Sequence, residues 1–522
     1  MGIPVSIFND VIGPVMRGPS SSHCAAALRI GRLARDLMDG EISAVIVEFD
    51  EHGSLATTHT SQGSDMGLFG GLMGLDASDE ALITSAKDIA KAGISIDVRI
   101  CDFHDPHPNT YRLKLSNINE NHSMTAISTG GGMIRVIEID GIAVNINGDY
   151  FETLVFAGGD IAGLVDTFKS EFENGSVLVH GAGDGQLIQI RAGRFISDEL
   201  ESSIRSDYDI KYIKRLAPVL PVLSRKDTGV PFSNYAGMLE YDAGRGTSLW
   251  ELAVDYESWR GGIDGSEVLA KMVEIVRIVR GSVKQGIAGT EYADRILGFQ
   301  CGGFKELMES GGLLDAGIMN KIVLYVTALM EVKSAMGVIV AAPTAGSCGA
   351  LPGACLAAAD SLELNDEDAA KAMLAGGLIG VFIAESSTFA AEEAGCQAEC
   401  GSGSGMAAAA LVTLAGGSMK QAAAAASMAL QNSFGMVCDP VANRVEVPCL
   451  GKNVMAAVNG LSCANMAIAG FDPVIWLDEV IEAMDQVGRS LPRQVRCTAL
   501  GGLSITKTSK DLELHLKDCV KS

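Results

Sequence analysis

The sequence predicts a multidomain chain, α/β in its N-terminal part and all-α in its C-terminal part. Three observations carry that expectation. Helix and strand periodicities alternate over the first ~150 residues. A compact β-α-β-β-α-β pattern follows them. From about residue 242 onward, Ala- and Gly-rich helical runs separated by glycine clusters replace nearly all strand character. With 522 residues, 48% of them hydrophobic and 20% charged, the chain is too long for one core and apolar enough for two to four domains.

In chain order, Cys24–Met38 reads as a helix with Ala27, Ile30, Leu33, Ala34 and Leu37 on one face. Ala44–Phe49 reads as a strand. Ser78–Gly93 reads as a helix with Asp79 and Glu80 in its first turn. Ile94–Ile100, Arg112–Leu115 and Ile134–Ile139 read as strands. Thr153–Phe156, Ile161–Phe172, Ser176–Gly181, Leu187–Ala192, Asp198–Ser206 and Ile210–Leu216 then follow as β-α-β-β-α-β, the order of a ferredoxin-like unit and of small ACT-type regulatory modules. Pro218–Tyr241, with Pro218, Pro221 and Pro231, reads as a linker. Thr247–Lys284 reads as helical, with Glu251, Asp255 and Glu257 on polar positions. The expected boundaries are therefore 1–144 (α/β), 145–217 (ACT-like), 218–241 (linker) and 242–522 (all-α).

The formal charge of −24 opposes a nucleic-acid partner, whose phosphates it would repel, and suits a soluble cytoplasmic enzyme. No charged-then-apolar segment opens the chain, so no secretory signal is expected. The apolar stretch Met406–Met419 is too short for a bilayer and reads as a core helix. Twelve cysteines in such a chain point to metal binding or catalysis rather than a disulfide scaffold. Cys24, Cys101 and Cys355 read as small buried residues.

Several motifs can carry chemistry. Cys396 in GCQAE, Cys438 in VCDPV and Cys449 in VPC are all flanked by Gly or Pro, at helix ends or loops where thiolates can converge. Thiolates are natural iron–sulfur ligands, and three of them on a four-iron cluster leave one iron open. Cys400, four residues after Cys396, can join a four-cysteine set. Gly18-Pro19-Ser20-Ser21-Ser22-His23 opens a helix with three hydroxyls, suited to a carboxylate or phosphate. His104-Asp105-Pro106-His107-Pro108-Asn109-Thr110 is a rigid polar loop with two imidazoles. Ser128–Gly132 and Ala342–Ser347 can bring backbone amides to a ligand.

Taken in order, GPSSSH, HPNT, GGG, APTxG, GCQAE, VCDPV and VPC resemble the iron–sulfur-dependent L-serine dehydratase family over about Ile7 to Leu512. The intervals of 42 and 11 residues within the cysteine trio are also similar to the family's. The resemblance implies a single chain with fused beta and alpha parts. It implies a 4Fe-4S cluster held by Cys396, Cys438 and Cys449, which demotes Cys400. It implies that Ser20, Ser21, Ser22, Asn109 and Thr344 line the substrate side, with His23 or His107 carrying protons, and that Cys519 is a tail ligand candidate followed by Val520, Lys521 and Ser522. A small amino-acid substrate, a homodimer, and no membrane partner are implied as well. The activity implied is water elimination from L-serine to pyruvate and ammonia, with the open iron as Lewis acid.

Three positions depart from the family pattern. Gln62 stands where relatives carry His, with His59 three residues upstream. Ser386–Glu392 replaces Asn-Ala-Ser-Ile-Ser-Gly-Ala. Arg496-Cys497-Thr498 stands where Arg-Glu-Thr is usual. These keep open a sister lyase acting on another β-hydroxy acid or on L-cysteine, and a non-catalytic amino-acid sensor. A zinc protein using Cys396, Cys400, Cys438 and Cys449 is the remaining alternative. No lysine-plus-phosphate-loop signature supports a pyridoxal cofactor.

Overall fold

In the computed structural model, which describes residues 3–18, 20–60, 62–181 and 185–521 (backbone only from 517), the chain divides into two units. One comprises Met1–Pro19 with Gly229–Ser522. The other is Ser20–Thr228. The N-terminal segment of the first unit holds a one-turn helix, Ile7–Val11, and a short strand β1 (Val15–Arg17).

The unit 20–228 is built on two sheets. The strands are β2 (Ala44–Asp50), β3 (Ser95–Cys101), β4 (Thr110–Ser116), β5 (Asn121–Gly130), β6 (Met133–Ile139), β7 (Ile142–Ile146), β8 (Phe151–Ala157), β9 (Ser176–His180), β10 (Gln186–Ala192) and β11 (Ile210–Leu216). The larger sheet runs β3-β2-β4-β5-β6-β7. Only β2 and β3 are parallel, with Asp50 opposite Cys101 at their C-terminal ends. The helix Ala26–Leu37 covers this sheet and buries all five positions its periodicity marks. It crosses the helix Ser64–Leu72 so closely that a Cβ on Gly67 or Gly71 would collide with the carbonyls of Cys24 or Leu28. That close crossing needs glycine.

The second sheet is antiparallel, ordered β11-β8-β10-β9, with helices Ala162–Glu171 and Asp198–Asp207 packed through Leu164, Phe168 and Ile204. Three expectations change in this unit. Ser78–Gly93 is not one helix but a 3-10 turn, Glu80–Thr84, followed by the single turn Ser85–Asp88. The strands β5 and β7, which the polar mix of their residues concealed, complete the large sheet.

The other unit is helical apart from β1 and its antiparallel partner β12 (Val338–Val340). Its core stacks the helices Ala350–Ser361, Asp366–Ser386, Ser402–Leu414, Met419–Gln431 and Cys449–Ile468. Small residues allow the close approach: Gly376 faces Met406, Gly403 faces Ala350 and Gly460 faces Ala407. Asp366–Ser386 is the one helix, among the described residues, long and apolar enough to cross a membrane, and most of its apolar stretch is buried here. The expected helix Thr247–Lys284 is two helices, Leu249–Gly261 and Gly265–Ala288, because Gly262 takes a left-handed conformation at φ +61°. The end of the expected linker is helical, over Tyr235–Asp242. Glu257 is not solvent-facing. It is fully buried, accepting hydrogen bonds from Ser6 Oγ and from the Ile7 amide at 2.8 Å.

Candidate active site

In the helical unit, the chain gathers thiols from three separated segments. Gly395, at φ +71°, turns the chain so that Cys396 precedes the π-helical turn Gln397–Gly401. Gln397 locks that turn, its side chain reaching the Met484 carbonyl at 2.6 Å and the Gly435 amide at 2.8 Å. Cys438 lies in extended backbone bridged to Arg496. Its amide donates to the Val495 carbonyl at 2.8 Å, and the Cys497 amide donates to its carbonyl at 3.0 Å. Cys449 opens the helix Cys449–Ile468. One turn on, Asn453 ties the segments together. Its Nδ2 reaches the Cys449 carbonyl at 2.9 Å, the Gly346 carbonyl at 2.8 Å and Cys400 Sγ at 3.6 Å.

Cys396, Cys400, Cys438 and Cys449 are all buried. Cys396 hydrogen-bonds Cys400, and Cys497 hydrogen-bonds Cys438. A hydrogen bond with its neighbour, then burial, pushes Cys400 and Cys438 upward, while burial, helped by Cys396 and Glu399, pushes Cys449 up to about 12 against the opposing charge of Lys333. Cys400, Cys438 and Cys449 are thus held as protonated thiols by their protein surroundings.

Three ionisable side chains complete the nest. Glu399, between the first two thiols, is half-buried and accepts a hydrogen bond from Thr344 Oγ1 at 2.7 Å. Gly346 packs against that carboxyl so tightly that a Cβ would stand 2.9 Å from its Oε1. Burial raises Glu399 to about 7. Lys333 is buried and donates to the Val445 carbonyl. Burial lowers its pKa while the thiols of Cys449 and Cys348 and the carboxyls of Glu446 and Glu399 oppose that. Lys452 donates to Asp439 at 2.8 Å. Burial works against its charge, but Asp439 and the nearby thiols outweigh it and raise its pKa.

The unit 20–228 carries a second group built from hydroxyls and imidazoles. His23 Nδ1 is 3.0 Å from Ser20 Oγ, and its Nε2 is 3.2 Å from Thr58 Oγ1. Thr58 donates to the Ser54 carbonyl at 2.6 Å, and Ser54 Oγ donates to Asn109 Oδ1. Ser21 is buried, and the Ser22 carbonyl accepts from Ser128 Oγ at 2.7 Å. Burial lowers His23 to about 4, so its imidazole is neutral near pH 7. His107 is half-exposed, and its Nδ1 accepts the Asn109 amide at 3.2 Å. Burial and Arg135 lower its pKa. His59 is oriented by Asp65, Nδ1 to Oδ1 2.7 Å.

A family profile described as "Serine dehydratase alpha chain" matches residues 242–504, which include every thiol of the nest. The chain belongs to the L-serine dehydratase family. A probable L-serine dehydratase alpha chain from Bacillus subtilis is 38% identical over 247 residues, covering 47% of this chain and 82% of the relative. The probable beta chain from the same organism is 35% identical over 218 residues, covering 41% of this chain and 98% of the relative. An L-serine dehydratase of Streptomyces coelicolor is 28% identical over 509 residues, 94% of this chain and 96% of the relative. As a serine dehydratase family member the chain therefore fuses beta-like and alpha-like parts.

The donor set fits an iron–sulfur cluster. Its ligands are soft thiols. Among the described residues no three of these sulfurs lie within 4.8 Å of one another, looser than a single zinc ion with bonds of ~2.3 Å requires. Lys452, whose pKa is raised, would offset the charge of an anionic thiolate-ligated cluster. The structure brings Cys396, Cys438 and Cys449 together, with Thr344 beside Glu399. It also brings Ser20, His23 and Asn109 together in the other unit. The side chain of Cys519 lies outside the described residues. Sequence reasoning missed Glu399, Lys333, Lys452 and Asp65. Only Glu399 had a local signal, as the last letter of GCQAE. Cys497, read as a lost carboxylate, is a fifth thiol of the nest.

Proposed function

We propose that the chain is an L-serine ammonia-lyase that eliminates water from L-serine to give pyruvate and ammonia, with Cys396, Cys438 and Cys449 holding a 4Fe-4S cluster. One observation carries the reading: a buried set of thiols, drawn from segments the family shares, surrounds a carboxyl able to exchange a proton near neutrality. When bound, the cluster would supply a Lewis acid at its unligated iron. Glu399, kept protonated by burial and held by Thr344, is a general acid or base suited to neutral pH. Ser20, Ser21, Ser22 and Asn109 would take the substrate's polar groups through their hydroxyls and amide. His23, neutral and fixed between Ser20 and Thr58, can accept a proton, as can His107, and His59 with Asp65 is a third candidate in place of the histidine absent at Gln62. Loss of the α-proton and the β-hydroxyl from serine leaves an enamine. Its imine tautomer hydrolyses to pyruvate and ammonia.

The module 145–217 we read as ACT-type and amino-acid-binding, on its β-α-β-β-α-β order and the β11-β8-β10-β9 sheet. A cytoplasmic homodimer is the assembly and location proposed, since reduced thiols suit a reducing compartment. A second reading, a sister lyase on another β-hydroxy or thiol amino acid, is favoured by Gln62 and Cys497 at departures from the family pattern.

Anaerobic purification tests both. The protein should contain iron and sulfide, absorb broadly near ~400 nm and bleach in air. It should release pyruvate and ammonia from serine in preference to threonine and cysteine. Cys396→Ala should lose both colour and turnover. A colourless variant with undiminished turnover, or zinc in place of iron, would sink the cluster, and sulfide release from cysteine in place of serine turnover would favour the sister lyase.

A further inference from the structure

The parallel pair β2 and β3 ends with Asp50 opposite Cys101, and the loops that follow run side by side. The carboxyl ends of parallel strands are a common place for ligands. These two loops are hydrogen-bonded to each other. The Glu51 amide donates to the Cys101 carbonyl at 2.8 Å, and the Ser54 amide to the Pro108 carbonyl at 2.9 Å. Asp50 accepts from the His52 amide at 3.1 Å and from the Asp105 amide. Asp105 in turn pairs with Arg112, which also covers the Phe103 ring at 4.7 Å.

On that scaffold His104 takes a left-handed conformation, φ +51°, uncommon for a residue other than glycine. It stacks the imidazole of His104 on that of His52, centroids 5.0 Å apart and planes within 10°. Asp102 lies against both, 3.5 Å from His52 Nε2 and 3.3 Å from His104 Nδ1, and Glu51 reaches His52 Nε2 at 3.5 Å. Ligand atoms of His52, Asp102 and His104 all lie within 4.8 Å of one another.

We infer that His52, Asp102 and His104, with Glu51 beside them, form a site for a divalent cation of the zinc, nickel or cobalt class. Two imidazoles and carboxylates select these ions over magnesium or calcium, which take oxygen ligands. The ion clips the loop after β2 to the loop after β3. The second loop continues to His107 and Asn109, so the clip fixes the backbone that carries them. This site uses none of the thiols and stands whether or not the chain is a lyase.

Nickel is the probe, since it favours imidazole over the buried thiols' sheltered nest. The purified full-length protein, kept anaerobic with its cluster loaded, is dialysed to equilibrium against graded Ni(II) beside the variants His52→Ala, His104→Ala and His180→Ala. The expected result is one Ni(II) per chain for the unaltered protein and for His180→Ala. Either of the other two should bind at least tenfold more weakly. Nickel should also slow amide hydrogen exchange over residues 102–109 in the unaltered protein and not in His104→Ala. Equal nickel binding by all four proteins, or loss in only one of His52→Ala and His104→Ala, overturns the site. Exchange over 102–109 that nickel leaves unchanged overturns the clip.

Discussion

The thiol nest and the Ser20–His23 group make contrasting sites. The nest is assembled over long range: Lys333, Thr344, Cys396, Glu399, Cys438, Cys449 and Cys497 come from loops and helix ends far apart in the chain, and all but Glu399 and Cys497 are buried. The hydroxyl group is assembled from short local segments, 20–23, 54–59 and 107–110, whose side chains are mostly half-buried. Soft ligands that must stay dry require a closed core around them, and helix packing provides it. Hydroxyls that meet a polar molecule need only turns and a helix start.

If the nest holds the reacting chemistry and the hydroxyl group only grips, the two should fail differently. Glu399→Gln keeps shape and hydrogen bonding to Thr344 but cannot move a proton. It should lower kcat by about 10²–10³-fold while iron content and the visible spectrum stay unchanged. Loss of iron along with activity would make Glu399 a structural prop. Ser20→Ala should raise KM by roughly tenfold, the loss of one hydrogen bond, with kcat and iron content retained. An equal fall in kcat would move that hydroxyl into the chemistry.

The smallest effects concern stability, where two buried groups, His23 and Glu257, respond to pH with opposite sign. Burial lowers His23 from 6.5 to about 4, so the unfolded chain binds a proton that the native one refuses, and stability falls as pH drops from 6.5 to 4. Burial raises Glu257 from 4.5 to about 7, so the native chain holds a proton that the unfolded one releases, and stability falls as pH rises from 4.5 to 7. Each is worth on the order of 3 kcal/mol. His23→Gln should flatten the acid side of a Tm-against-pH curve and Glu257→Gln the neutral side. Slopes unchanged in both variants would show that other groups dominate.

The sequence made parts of this legible for physical reasons. Helix 26–37 and the strands at 44–50 and 95–101 bury one regular face, so periodicity exposes them. Gly395, Pro440 and Pro448 mark the turns that present the thiols, so the trio could be picked out before its geometry was seen. β5 stayed hidden because a strand flanked by hairpin partners tolerates the polar run Asn121–Ser123. The buried charges stayed hidden for a different reason. Nothing near Lys333 or Glu257 in the chain foretells burial, because their partners, Val445 and Ser6, lie 112 and 251 residues away. Long-range pairing of polar groups leaves no local periodicity to read.

That last separation matters during synthesis. Ile7, Phe8, Val11 and Ile12 leave the ribosome well before some of the surfaces that bury them, among them Gly377 and Gly380, against which Ile7, Ile12 and Val11 pack. At ~5–20 residues per second the ribosome needs on the order of half a minute to supply those glycines. Residues 20–228 can meanwhile close their own sheets. The nascent chain thus carries an uncovered apolar segment ahead of the finished unit 20–228, and a chaperone that shields short apolar segments would find its target there.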